Sequence, residues 1–291
     1  MKRAGYLFIA LALLLITAAV HLTTADARGG PSAASRSRAK DRAERTADDE
    51  RVADMPAGLA APAEKELAQQ IVASAENSTL NWHEAYGYIE DIGDGQGYTA
   101  GVVGFCTGTH DLLTLVERYT RAHPGNGLAR YLPALREVDG TDSHEGLDPG
   151  FTAAWRHEAT LAAFRGAQDS ERDRVYFGPA VRIAKLDGLG TLGQFLYYDA
   201  MVMHGPGTGG HSFHGLRERT LREADPPSEG GDEKTYLGAF LDIRRAAMKS
   251  GDPGRDTTRV DTAQRRFLDE GNLGLRTPLE WKVYGETYRV P

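Results

Sequence analysis

The chain has 291 residues and a single cysteine, Cys106. An internal disulfide is therefore excluded, and stability has to come from the buried core. Gly104-Phe105-Cys106 follows the apolar pair Val102-Val103. The thiol accordingly reads as a small buried hydrophobe rather than a nucleophile, even with His110 four residues on. An excess of positive charge is also missing: the net charge is −7, and the part beyond residue 62 is more acidic still. That balance argues against nucleic acid as a partner and suits a cationic one. Short internal repeats are absent, and so is a standard zinc motif. His204, His211 and His214 fall in a turn-rich segment, so neither a metal nor a cofactor is expected.

What is present starts at the N-terminus. Lys2 and Arg3 precede an unbroken apolar run, Gly5 to Val20, and Ala25-Asp26-Ala27 follows as an A-x-A site. That is the pattern of a signal peptide over residues 1–27, with no stop-transfer pattern to make it a spanning helix. Secretion to the extracellular space and no stable membrane association are the expectations. Residues 28–62 hold one Val, one Met, one Leu and no aromatics. Such composition cannot bury enough apolar surface to offset ordering, so a disordered linker is expected. Its stretch AKDRAERTADDER has alternating signs and supports at most a transient charged helix. Residues 63–291 suffice for one large domain or two lobes.

Within that region Leu67, Ile71, Val72 and Ala75 form one helical stripe over 64–77, ending in Asn77-Ser78. Glu76 lies in the last turn, where the helix dipole disfavours a negative charge. YTAGVVGF (98–105) has strand composition, and 110–123 reads as a helix. Further helical patterns lie near 127–138, 151–165, 169–186, 189–204, 233–249 and 259–270. The fold class is α+β, predominantly helical, with a small sheet near residues 86–106.

Two apparent motifs fail on context. GLGTLG (188–193) follows no clear strand and is not a dinucleotide site. In DIGDGQG, Asp91 and Asp94 are three apart with no distal glutamate, which excludes an EF-hand loop. QFLYYDAMVMHG (194–205) is more informative. Asp199 sits in a helix that is apolar on every side, hence buried, and a buried carboxylate needs a cation. Arg244 shares the core stripe of Leu237, Phe240, Leu241 and Met248, whereas Arg245 points away; Arg259 is a second candidate. Either the group is a structural ion pair or it positions something catalytic.

SAENSTLNW (74–82), YIEDIGDGQGYTAGVVGFCTGTHD (88–111), ERDRVYF (171–177), LGQFLYYDAMVMHGPG (192–207) and RVDTAQRRFL (259–268) closely resemble the secreted, actinomycete-type chitosanases of glycoside hydrolase family 46. The resemblance runs in order from about Glu64 to the C-terminus and leaves out the linker. It implies a bilobal, lysozyme-like fold with a small β-sheet lining a cleft. It also implies endo-hydrolysis of the β-1,4 bonds of chitosan with inversion, by a monomer. By resemblance Glu76 is the general acid, Asp94 the general base, and Thr99 positions the attacking water. Arg244 contacts Glu76, with Asp199 and Arg259 behind it. Asp111 leads the substrate contacts, followed by Ser78, Tyr88 and Tyr176. Trp82, Trp155 and Trp281 match family tryptophans and read as core supports. Gln96 stands where the resemblance leads one to expect arginine, removing a positive charge two residues from Asp94. The rival readings are a lysozyme-like hydrolase of peptidoglycan or partly acetylated chitin, and a polysaccharide-binding module without catalysis.

Overall fold

A computed structural model describes residues 33–291 of the chain; the expected signal peptide lies outside the described residues. The segment expected to be a disordered linker carries a helix, α1 (Ala33–Ala53). Its described side chains are mostly exposed, and two contacts lie within the helix itself. Lys40 and Glu44 pair across one turn at 3.6 Å, and Thr46 Oγ1 donates to the Arg42 carbonyl at 3.0 Å. Opposite charges at i,i+4 spacing stabilise such a largely exposed helix.

The folded body starts before residue 63. A 3-10 turn, Gly58–Ala60, buries Leu59 completely, and the Leu59 N–H donates to Gln194 Oε1 at 2.9 Å. One leucine in a polar stretch gives no periodicity, which is why composition alone leaves it in the spacer.

From there the chain is mainly helical. The first half holds α2 (Pro62–Glu76), β1 (Ile89–Asp91), β2 (Tyr98–Ala100), β3 (Phe105–Cys106), α3 (Asp111–Ala122), α4 (Leu132–Val138), α5 (Phe151–Glu158) and α6 (Ala162–Arg172). A π-helical turn, Asp173–Phe177, leads into α7 (Gly178–Leu186). The rest is α8 (Thr191–His204), α9 (Phe213–Leu221), α10 (Glu233–Lys249), a second π-turn (Arg259–Gln264), α11 (Arg265–Asp269), β4 (Leu279–Val283) and β5 (Glu286–Val290).

Within one compact unit, two packing groups are joined by α7 and the first π-turn. β1–β3 pack with α3 to α6, while α8 to α11 pack with the β4–β5 hairpin and the second π-turn. α2 touches both groups, through the turn Trp82–Gly87 and through α8. Trp155 and Trp281 are fully buried core supports; the Trp281 indole N–H donates to Ser74 Oγ at 2.9 Å, tying β4 to α2. Trp82 is half-buried, with its indole N–H on Glu66.

Two elements differ from the sequence reading. YTAGVVGF is not one strand: Gly101 and Gly104 adopt φ of 76° and 69°, turning the chain so that β2 and β3 pair antiparallel. The C-terminal hairpin was not expected, although Leu279, Trp281 and Val283 alternate inward with polar neighbours.

Candidate active site

α2 ends on Glu76 because Asn77 and Ser78 leave the helical region, Ser78 with φ of 52°. The side chain therefore projects from a helix terminus, about one-third exposed. Arg259 Nη1 donates to Glu76 Oε1. The same guanidinium grips Asp199 through Nε at 3.1 and 3.0 Å and through Nη2 at 2.8 Å. Asp199, on α8, is 1% exposed, and Arg244, on α10, is fully buried. Arg244 Nη1 lies 2.7 Å from Asp199 Oδ2 and donates to Gln264 Oε1 at 2.8 Å. Gln264 closes the ring by donating from Nε2 to Asp199 Oδ2 at 2.5 Å.

The electrostatics follow from that packing. Burial alone would push the Asp199 carboxyl up, but Arg259 and Arg244 overcome it and hold it well below the usual carboxylate range. Burial likewise works against charge on Arg259, yet Asp199 and Glu76 raise it above an ordinary guanidinium. Beyond Arg244 stands His204. Its Nε2 accepts from Arg244 Nε at 3.3 Å, so that nitrogen carries no proton. Burial, with Arg244 and Arg259, lowers the imidazole to about 3.

Asp94 is placed differently. It lies on the exposed loop between β1 and β2, and its Oδ1 accepts from the Gln96 N–H at 3.0 Å. Gly93 and Gly95 flank it with φ of 73° and 82°. A Cβ at either would meet nothing within 4 Å, so conformation rather than crowding requires glycine there, and the surrounding space is open. Gln96 is anchored by its carbonyl, which accepts from Gly108 N at 2.9 Å and Thr107 Oγ1 at 3.3 Å; its side chain is exposed. The loop is thus held by backbone bonds that do not depend on the side chain at position 96.

Thr99 is the middle residue of β2, facing Glu90 on β1 and Cys106 on β3. Its hydroxyl lies 3.3 Å from Cys106 Sγ. Cys106 is half-buried rather than buried, and that partial burial pushes the thiol up. Asp111 opens α3 beside them. Its Oδ1 accepts from Cys106 N, Thr109 Oγ1 and Leu112 N at 2.8–2.9 Å. Its Oδ2 accepts from the buried Tyr176 hydroxyl at 2.8 Å. Tyr88 is half-buried beside Glu90, and Ser78 is exposed next to Glu76. Among the described residues, no group of three His, Cys, Asp or Glu is placed to hold a metal ion.

The pattern of glycosyl hydrolase family 46 matches residues 70–279. The chain belongs to glycosyl hydrolase family 46. It is 57% identical over 234 residues to a chitosanase of Streptomyces sp. (strain N174), covering 80% of this chain and 84% of the relative. A solved chitosanase, OU01, in co-crystal with substrate superposes with a TM-score of 0.79 at 51% identity, covering 81% of this chain and all of the other. The family 46 chitosanase of Gynuella sunshinyii in complex with chitotetraose gives 0.72 at 33%, covering 78% and 97%. The fold is therefore that of these glycoside hydrolases.

Within this family 46 chain the expected residues fall into two constellations. Glu76, Arg259, Asp199 and Arg244 form one; Asp94, Thr99, Asp111 and Tyr176 line the sheet and its loop. The order of the arginines differs from expectation: Arg259, not Arg244, touches Glu76. Arg244 projects from α10 into the interior and spends its donors on Asp199, Gln264 and His204. Arg259 starts a π-turn that packs on β4, the strand tied to the last turn of α2, and so reaches the helix end. Gln264 and His204 were not foreseen as members. Gln264 follows Arg259 by five residues, a spacing that puts both on one face only in a π-turn.

Proposed function

We propose that the protein is a secreted, monomeric endo-chitosanase that hydrolyses β-1,4 bonds of chitosan with inversion. Glu76 gives its proton to the glycosidic oxygen as the C1–O bond breaks. Water attacks C1 from the opposite face, and Asp94 takes the water's proton. Thr99 holds that water. What carries the reading is the anchored Glu76: one oxygen is fixed by a guanidinium that a buried carboxylate holds in place, while the rest of the side chain remains open to solvent. Asp94, exposed on a glycine-flanked loop, suits an ionised partner that a sugar chain can approach. The identity to named chitosanases supports the substrate.

Each deacetylated unit presents an ammonium group, which an acidic protein attracts. Asp111 is the foremost contact for it, because Oδ2 carries one donor and keeps an acceptor site. Tyr176 then acts by orienting Asp111, while Ser78 and Tyr88 meet the sugar directly. The test is release of reducing ends from highly deacetylated chitosan, compared with bacterial cell walls. Chitosan cleavage without wall lysis supports the proposal; the reverse assigns a lysozyme-like activity. Loss of cleavage in Glu76→Gln separates an enzyme from a binding module.

A further inference from the structure

The tip of the β4–β5 hairpin is built against its own turn. Val283 pairs with Glu286, so Tyr284 and Gly285 are the two loop residues, with φ of 49° and 88°. Such a turn favours Asn-Gly, Asp-Gly or Gly-Gly, because both positions are left-handed. A bulky aromatic at the first is an outlier whose backbone works against stability, and such outliers cluster at functional sites. Tyr284 is nonetheless one of three large apolar side chains left exposed among the described residues, at 46%.

Its surroundings say where it acts. The Tyr284 N–H donates to Thr258 Oγ1 at 2.9 Å, and Thr258 immediately precedes Arg259. On the other flank of the turn's strand, Trp281 is bonded to Ser74, two residues before Glu76. The hairpin is thereby tied to Thr258, next to Arg259, and to Ser74, two residues before Glu76. Partial burial pushes the Tyr284 hydroxyl up, with smaller effects from the charges of Arg259 and Glu76. We infer that Tyr284 is a substrate-binding residue: an aromatic platform beside Glu76 that stacks on a glucosamine ring and faces its ammonium group. The aromatic face takes the C–H side of a sugar, and its quadrupole attracts a cation. Nothing in this requires the residue to exchange a proton. The inference rests on the functional reading above and extends it to the specificity of the site.

The test uses the full chain carrying Glu76→Gln, so that a glucosamine hexamer is not cleaved, and measures its Kd by calorimetry. Tyr284→Asn suits the left-handed turn better than tyrosine does, so the Tm should hold or rise. Its Kd should weaken about tenfold, and Tyr284→Trp should keep the parent's value. An unchanged Kd in Tyr284→Asn overturns the platform. So does a lower Tm with affinity kept, which would make Tyr284 a packing residue. A parent that binds no hexamer overturns both this inference and the functional reading, whereas a binding parent insensitive to position 284 overturns the platform alone.

Discussion

Arg259 and Glu76 are joined by a hydrogen bond whose donor is itself immobilised: the guanidinium uses Nη1 on Glu76 and its remaining nitrogens on Asp199. The Glu76 carboxyl is thus placed by a chain of side chains from three distant segments. Arg259→Ala should lower kcat about 100-fold, the scale of a misplaced reacting group. It should also cost about 3 kcal/mol of stability, since Asp199 keeps only Arg244 and Gln264. Equal activity in the folded variant would show that the pair is structural only.

Arg244 should behave in the opposite proportion. It is fully buried and touches Asp199 rather than Glu76. Arg244→Ala should cost about 3–5 kcal/mol, as when one partner of a buried pair is removed. The variant that still folds should lose less activity than Arg259→Ala. Urea midpoints and kcat for the two variants decide the order.

Acid should act partly through His204. Its folded pKa, about 3, lies below its ordinary value of 6.5, so the unfolded chain binds the extra proton between them. The stabilisation is complete above pH 6.5 and is lost as pH falls towards 3. Asp199, also depressed, adds its loss only below about pH 4, the ordinary carboxylate region. His204→Gln should flatten the stability profile between pH 6.5 and 4 by up to roughly 1 kcal/mol per pH unit. An unchanged slope would show that another group titrates there.

Much of this was legible in the sequence where chemistry and periodicity agree. Asp199 stood out because a carboxylate in an all-apolar helix demands a cation, and both arginines named for it are there. Their order was not legible, because a helical stripe tells which side chain faces inward and not which distant helix end it meets. Gln264 and His204 are neutral and carry no charge signal. Arg259 and Gln264 share a face only through a π-turn that local residues do not announce. The split of YTAGVVGF was readable in its glycines. The hairpin at 279–290 was readable in its alternation.

The boundary of the folded body gives a further test. Leu59 is wholly buried and bonded to Gln194, whereas α1 is exposed. Leu59→Ala should cost about 2–5 kcal/mol, the range for a buried leucine. A truncation beyond residue 62 that keeps full stability would contradict this.

The central claim is that Glu76 and Asp94 act as acid and base on opposite faces of the sugar, with water as nucleophile. Proton NMR of products first released from highly deacetylated chitosan tests it directly, through the anomeric signal before mutarotation. The α-anomer is the predicted initial product. An initial β-anomer would mean retention, and would contradict the roles assigned to both carboxyls.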